Sequence, residues 1–394
     1  MRENMRDETK IIHAGRHPER QAGIVNPPVY HASTVLSPSL ADFEAKRGMR
    51  ERDEIGTYYG RHGTPTQHAL EEAIAVLEGG YRCQLYPSGL AACTGVLMAY
   101  VGHGDHILMT DNVYGPSRNF ARTFLKRFGV ETTFFDPMIG GGIDSLIRAN
   151  TRLVYVESPG SHTFEVQDVP AIAAAAKKRG VVVAIDNTWA TPLYFRPLDH
   201  GVDISIQAAT KYIVGHSDAM LGTVTVTKEA WPKLLGTHHE VGFAVAPDDA
   251  YLGQRGLRTM AVRLKQHWEN GVRLAEWIAT QSEVHRVMHP ALPGDPGHAL
   301  WKRDFKGASG LFGVIFKASV SREAFARFVD GLELFGIGAS WGGFESLVLP
   351  TDVAKARTAT SWSPPGPVLR IHAGLESVDD LIADMRAGFE RLRR

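Results

Sequence analysis

Short apolar runs alternate with helical stretches through the middle of the chain. The runs read CQLYP, HILMT, ETTFF, RLVYVE and VVVAID, and stretches such as GLAACTGVLMAY and VPAIAAAAKKRG lie between them. Runs that are apolar throughout indicate strands buried on both faces, and their alternation with helices indicates a parallel sheet. We therefore predict a large α/β domain with a mainly parallel sheet.

The pattern changes on either side of this region. Residues 1–62 are irregular, with adjacent prolines and the charge-dense EAKRGMRERDE, and predict an extended arm. The stretch TQHALEEAIAVLEGG then predicts a helix with a threonine N-cap and a Gly-Gly stop. Beyond about residue 256, long helical stretches and the runs LFGVIFKA and VLRIHAG predict a smaller α+β domain. We thus predict a large domain over 63–256 and a C-terminal domain over 257–394.

Composition narrows the class of partner. The 394 residues include 43 basic and 43 acidic side chains, so net charge gives no reason to expect nucleic acid or an anionic membrane. The sequence lacks a membrane-spanning stretch and a signal-peptide pattern, and its two cysteines fit a reducing compartment. The run His238-His239-Glu240 lacks the spacing of a metal site. We predict a cytoplasmic protein with a small-molecule substrate and no metal.

Ligands of open α/β sheets bind at the carboxyl ends of the strands. Four strand ends carry polar residues that could bind a ligand or take part in a reaction. They are Ser88-Gly89 after CQLYP, Tyr114 after HILMT, Asp186 after VVVAI, and Thr210-Lys211 after DISIQAA. Taken singly, Ser88 fits a helix N-cap, Tyr114 a core aromatic, and Asp186 a turn. Lys211 is harder to explain as structure, because lysine is almost never buried unless it is paired or used.

Taken together, these residues describe a receptor for pyridoxal 5′-phosphate. The helix N-terminus after Ser88 offers free backbone N–H groups to a phosphate, and Thr210 adds a hydroxyl donor. Asp186 can keep a pyridine nitrogen protonated, and Tyr114 can lie on the ring face. Lys211 can form an imine with the aldehyde. The sequence therefore predicts this cofactor from five positions.

Longer motifs resemble a known family. IDNTWATP, SIQAATKYIVGHSDAMLG and YYGRHGTPT resemble the Cys/Met-metabolism family of pyridoxal-phosphate enzymes, over about residue 10 to the C-terminus. VESPGSHTFEVQDVPAI, HPALPG, FKGASGLF and SWGGFESL are most similar to its bacterial β-lyase branch. The resemblance implies an aspartate-aminotransferase-like fold (fold type I). It also implies a homotetramer, a dimer of dimers whose active sites are shared across each dimer.

The resemblance also implies a role for individual positions. Lys211 matches the imine-forming lysine, Asp186 the partner of the pyridine nitrogen, and Tyr114 the tyrosine stacked on the ring. Phosphate-binding positions match Ser88, Gly89, Leu90 and Thr210, together with Tyr59 and Arg61 donated to the neighbouring subunit. Tyr59, Lys211 and Tyr114 are the expected catalytic residues.

The substrate side of the site follows from the same resemblance. Arg370 in LRIHAG matches the arginine that binds the substrate α-carboxylate, with Ser340 and Trp341 close by. Two positions depart from the family pattern. Ala208 stands where many relatives have serine, and some β-lyases also have alanine there. Ala339 stands where some β-lyases have tyrosine, and this second departure leaves the exact substrate open.

The implied reaction is α,β-elimination of L-cystathionine to homocysteine, pyruvate and ammonia, with other cysteine S-conjugates as further substrates. Lys211 would remove the Cα proton and, assisted by Tyr114, protonate the leaving sulfur. Two alternatives stay open. One is γ-elimination or γ-replacement on the same cofactor, and the other is a lysine aldolase that forms an imine without a cofactor and would need a barrel fold.

Overall fold

The computed structural model describes residues 5–49, 52 and 54–393, and two β-sheets organise this part of the chain. The strands are Arg82–Tyr86 (β1), His106–Thr110 (β2), Glu131–Phe135 (β3), Thr151–Glu157 (β4), Val182–Asp186 (β5), Ile204–Gln207 (β6), Gly222–Val226 (β7), Val284–Met288 (β8), Leu311–Phe316 (β9), Gly336–Ile337 (β10), Leu347–Pro350 (β11) and Val368–His372 (β12). The first seven form one sheet and the last five form the other.

Helices connect and cover the sheets. The α-helices are Asp7–His13 (α1), Leu40–Arg47 (α2), Pro65–Glu78 (α3), Gly89–Tyr100 (α4), Gly115–Asn119 (α5), Val169–Lys178 (α6), Thr191–Tyr194 (α7), Trp231–Val241 (α8), Pro247–Ala279 (α9), His298–Asp304 (α10), Arg322–Asp330 (α11) and Val378–Arg393 (α12). Short 3-10 turns occupy Pro18–Arg20, Gly60–His62, Gly140–Leu146 and Pro197–His200, and a π-helical turn, Phe120–Leu125, continues α5. None of the helices in these described ranges is long and apolar enough to cross a membrane.

The large sheet has the predicted mainly parallel character. Its strand order is β1-β7-β6-β5-β4-β2-β3, and β7 alone runs antiparallel to its neighbours. Strands β2, β6 and β7 are buried along their whole length, because helices cover both faces. As a result, the carboxyl ends of β1, β2, β4, β5 and β6 meet at one edge of the sheet.

The second sheet is mostly antiparallel. Its order is β10-β11-β12-β9-β8, and only β10 and β11 pair in parallel. Helices α9, α11 and α12 pack their apolar faces on it through residues such as Leu274, Phe328 and Phe389. Helix α9 continues without a break past residues 256 and 257, so the boundary between the large and C-terminal domains stays a prediction. Both sheets are open, so the barrel required for the cofactor-free aldolase is absent from the described residues.

The N-terminal region contains more helix than the sequence suggested. Helix α2 occupies part of the charge-dense stretch that we predicted to be extended. The Ser39 hydroxyl caps it by accepting a hydrogen bond from the Asp42 amide, and Asp42 pairs with Lys46 one turn later, at 2.8 Å. These local interactions account for the difference. Residues 50, 51 and 53 of that stretch, and residues 1–4 of the predicted arm, lie outside the described residues.

Candidate active site

A cavity of about 370 Å³ opens at the edge where the parallel strands end. Its walls include residues from each predicted strand end: Ser88, Gly89, Leu90, Tyr114, Asp186, Thr210 and Lys211. Arg370, from β12 of the second sheet, and Trp341, from the loop between β10 and β11, close the opposite side. The fold therefore brings together most of the residues that the sequence singled out.

One end of the cavity is suited to an anion. Ser88 caps helix α4 by accepting a hydrogen bond from the Ala91 amide. The Gly89 and Leu90 amides, at the start of this helix, have no hydrogen-bond acceptor among the described residues. A Cβ on Gly89 would lie 2.5 Å from the Ala208 Cβ, so glycine permits the helix to approach the lysine-bearing segment. Free amides at a positive helix end fit a phosphate group.

The second phosphate donor is already engaged. The Thr210 hydroxyl accepts a hydrogen bond from the Leu221 amide at 2.8 Å and lies 3.2 Å from the Leu221 carbonyl oxygen. These contacts fix the hydroxyl oxygen at the cavity wall. Its proton can be redirected to an anion without loss of the shorter bond, because a hydroxyl both donates and accepts.

The two carboxyl oxygens of Asp186 differ in their hydrogen bonds: one accepts two of normal length, and the other has a single weak donor. Its Oδ1 accepts hydrogen bonds from the Thr188 hydroxyl at 2.5 Å and the Thr188 amide at 3.0 Å. The donor recorded for Oδ2 within the described residues is the Cys93 thiol, at 3.8 Å. Burial raises the pKa of this carboxyl, so a cationic partner would stabilise its ionised form. A protonated pyridine nitrogen supplies that partner, so the residues present fit pyridoxal phosphate.

Lys211 lies between the two sheets. Its Nζ donates to the Ser340 hydroxyl at 2.6 Å and lies 5.4 Å from the centre of the Trp341 ring. Gly342, at φ +84°, lets the loop pack against the Lys211 backbone, where a Cβ would approach to 3.0 Å. Burial, and then the charge of Arg370, lower the pKa of Lys211 to about 8, which makes its neutral, nucleophilic form accessible near neutral pH.

Tyr114 is held through its backbone by a carboxyl that the sequence analysis missed. The Tyr114 amide donates to Glu157 Oε2 at 2.6 Å. Glu157 ends β4 in register with Asp186 at the end of β5, so the two carboxyls are neighbours on one face of the sheet. Burial, and then the negative charge of Asp186, raise the pKa of Glu157 well above its usual range. We therefore expect Glu157 to be neutral when Asp186 is ionised.

Arg370 is oriented by backbone carbonyls. Its Nη2 donates to the carbonyl oxygens of Ala339 at 2.7 Å and Ser340 at 3.1 Å. The side chain is 8% exposed and lines the cavity, and no hydrogen bond to another described residue involves its Nη1 or Nε. These nitrogens therefore remain available for a carboxylate.

A buried ionic cluster ties the second-sheet side of the cavity to the Tyr114 loop. Asp111 accepts hydrogen bonds from the amides of Thr358, Ala359 and Thr360, all between 3.0 and 3.1 Å. It also contacts the guanidinium groups of Arg118 and Arg357, at 3.0 and 3.2 Å. Because these groups are buried, the cluster fixes the position of the loop.

Two predicted residues lie elsewhere. Tyr59 and Arg61 do not line the cavity of their own chain. The Arg61 guanidinium donates to the His239 carbonyl at 3.1 Å, and Tyr59 is 43% exposed. Their proposed contribution to a neighbouring subunit stays a prediction.

Several lining residues were missed by the sequence analysis. Glu157 directly follows the apolar run of β4, so the rule that selected Asp186 could have selected it as well. Thr188 follows Asp186 by two residues. Cys93 in α4 and His162 in the loop after β4 carried no local signal, because only the tertiary fold brings them to the cavity.

The chain was compared with known proteins. The sequence profile of a family described as "Cys/Met metabolism PLP-dependent enzyme" matches residues 8–390. A protein of Rhizobium johnstonii whose name provisionally assigns it as a cystathionine beta-lyase is 51% identical over 384 residues, 97% of this chain and 95% of that protein. "Cystathionine beta-lyase MetC" of Escherichia coli is 45% identical over 391 residues, 98% of each chain.

Two further matches widen the comparison. A protein of Wolbachia pipientis named "L-alanine/L-glutamate racemase" is 41% identical over 396 residues, 98% of each chain. Among solved structures, "Crystal structure of metB from Corynebacterium glutamicum" superposes with a TM-score of 0.90 at 31% identity, covering 99% of each chain.

Proposed function

Because the chain belongs to the Cys/Met metabolism PLP-dependent enzymes, we propose that it is a cystathionine β-lyase of methionine biosynthesis. The predicted family, fold and cofactor are thereby confirmed. The reaction converts L-cystathionine to homocysteine, pyruvate and ammonia, and other cysteine S-conjugates present the same Cβ–S bond. The observation that carries the proposal is the meeting of the Lys211 amine, the Asp186 carboxyl and the Arg370 guanidinium in one cavity.

Six groups would hold the cofactor. The amides of Gly89 and Leu90 and the Thr210 hydroxyl would bind its phosphate, Asp186 would pair with the ring nitrogen, and Lys211 would form an imine with its aldehyde. Tyr114 would lie on the ring face. Pyridoxal phosphate supplies an electrophilic aldehyde and a ring that withdraws electrons from the substrate Cα.

The remaining steps belong to side chains of the protein. Arg370 binds the substrate α-carboxylate with the nitrogens that the backbone leaves unused. The Lys211 amine, with its pKa near 8, accepts the proton from Cα and, once protonated, donates a proton to the departing sulfur. Ser340 accepts a hydrogen bond from Nζ and would orient the amine in the cavity. Tyr114, which follows β2 at the same edge of the sheet, would assist the second transfer.

The quaternary state is part of the proposal. Large apolar side chains of the N-terminal region are exposed, among them Leu36 at 84% and Leu40 at 72%, which is typical of an interface. We propose a homotetramer built from dimers, in which Tyr59 and Arg61 complete the site of the neighbouring subunit. Mixing inactive Lys211→Ala and Arg61→Ala subunits should then restore activity, because one site of each mixed dimer is intact. If mixed dimers recovered no activity, a shared site would be contradicted.

The two buried, unpaired cysteines agree with a cytoplasmic enzyme.

The product identifies the reaction. Purified enzyme loaded with cofactor and supplied with L-cystathionine should release pyruvate together with a free thiol. Release of 2-oxobutyrate instead would assign γ-elimination on the same cofactor. If the enzyme released neither pyruvate nor 2-oxobutyrate, both reactions would be contradicted.

A second activity is supported by one relative. The Wolbachia pipientis protein is named a racemase, and racemisation begins with the same removal of a Cα proton. L-Alanine has no leaving group on Cβ, so any turnover of it would appear as D-alanine rather than pyruvate. Chiral analysis after incubation with L-alanine measures this activity against the lyase rate on cystathionine.

A further inference from the structure

His162 occupies an unusual place in the cavity wall. It lies in the loop after β4 and lines the cavity with Arg370 and Ala339. Its backbone is left-handed, with φ 65°, a conformation that residues other than glycine rarely adopt. Strained backbone of this kind persists where the surrounding structure requires it, often at ligand sites.

The loop around His162 is rigid. The Ser161 amide donates to the Asn112 carbonyl at 2.8 Å, and the Gly160 amide donates to the Glu165 carbonyl at 3.0 Å. The Glu165 carboxylate in turn pairs with Arg357 at 2.9 Å. The imidazole is therefore presented from a fixed frame.

The two ring nitrogens differ. His162 Nδ1 is enclosed and has no hydrogen-bond partner among the described residues. A proton on Nδ1 would be buried without an acceptor, so the neutral tautomer carries its proton on Nε2. Burial, and then the charge of Arg370, lower the pKa of His162 to about 4, which keeps the ring neutral at working pH. Nε2–H is the donor left for a ligand.

Apart from the neighbouring Ser161, the other polar side chains of the wall already have assigned partners or roles. Trp189 donates its ring N–H to the Leu311 carbonyl, and the Thr188 hydroxyl donates a hydrogen bond to Asp186. With Arg370 holding the α-carboxylate and Lys211 at Cα, the group on the far side of sulfur must face the remaining wall. The lining also includes the apolar side chains of Ala339 and Met220.

Resting on the proposed lyase function, we propose that His162 is a specificity-determining residue that donates a hydrogen bond from Nε2 to a polar acceptor on the distal half of the substrate. It thereby favours thioether amino acids whose leaving group carries a carboxylate over those with a plain alkyl group. A carboxylate acceptor would make this bond charge-assisted.

The test compares two substrates in three proteins. L-Cystathionine carries a distal carboxylate, S-propyl-L-cysteine does not, and both release pyruvate. The variants are His162→Leu, which removes the donor, and His162→Gln, whose amide nitrogen reaches about as far as Nε2. Both replacements have an unbranched Cβ and meet the same backbone strain, so they form a matched pair.

We expect His162→Leu to lower the ratio of kcat/KM for cystathionine to that for S-propylcysteine by about tenfold, mainly through KM. His162→Gln should restore most of this ratio. Equal losses on both substrates, or no loss on either, would overturn the inference. If the unchanged enzyme released no pyruvate from either substrate, the lyase function would fail first and the inference with it.

Discussion

The two walls of the active-site cavity are built differently. The cofactor wall consists of strand ends and a helix cap of the large sheet, where Asp186, Thr210 and Ser88 each have a fixed partner. The substrate wall consists of Arg370 from β12 and of loops, including the left-handed residues His162 and Phe164. Strands and helices fix the positions of the reactive residues. Loop residues can differ, and so change which leaving group is accepted, without moving those reactive residues.

The largest effect should come from the cofactor wall. Lys211→Ala removes the only side chain assigned both to imine formation and to proton transfer. We expect pyruvate release from cystathionine to fall by about a thousandfold or more. Lys211→Arg serves as a control that keeps the charge but cannot form the imine, and it should be equally inactive. Activity near the unchanged level in either variant would contradict the role of Lys211.

Arg370 tests the wall that binds the substrate. Arg370→Lys keeps the positive charge but loses the planar fork that can contact both carboxylate oxygens. We expect KM for cystathionine to rise about 10- to 100-fold with a smaller change in kcat. The cofactor absorbance should be preserved, because Arg370 does not hold it. A loss of kcat with unchanged KM would place Arg370 outside substrate binding.

The pKa of Lys211 predicts how cofactor loading depends on pH. Only the neutral amine attacks the aldehyde, and burial with the Arg370 charge lowers its pKa to about 8. The loading rate of the apoenzyme, followed by absorbance, should thus be about fivefold lower at pH 7 than at pH 8 and level off above pH 9. In Arg370→Gln the plateau should shift to higher pH. A rate independent of pH between 6 and 9 would contradict this assignment.

The smallest effect is expected for Glu157→Gln. Burial and the neighbouring Asp186 raise its pKa, which favours the neutral carboxyl, and a neutral carboxyl resembles an amide. Glu157→Gln keeps an acceptor for the Tyr114 amide and should change kcat/KM by less than about threefold. Glu157→Leu removes that acceptor and should cost about tenfold. A large loss in Glu157→Gln would show that the ionised carboxylate is required.

The difference between the walls also explains what the sequence could predict. Tyr114, Asp186 and Lys211 follow apolar strands, and parallel strands bring their ends together, so local pattern was enough. Arg370 was predicted only through the family resemblance, because the local sequence of β12 does not show that this strand lies beside the strand ends of the large sheet. His162 and Cys93 reach the cavity only through tertiary packing. Ser340, which the resemblance placed close to Arg370, contacts Lys211 from the loop between β10 and β11.

The central claim is that Lys211 carries the cofactor at the edge where the parallel strands end. Borohydride reduction of the loaded enzyme, followed by peptide mass spectrometry, measures this directly. We predict that the reduced pyridoxyl phosphate is attached to the peptide SIQAATKYIVGHSDAM at Lys211. Attachment to another lysine, or no attachment in an enzyme that releases pyruvate, would contradict the account.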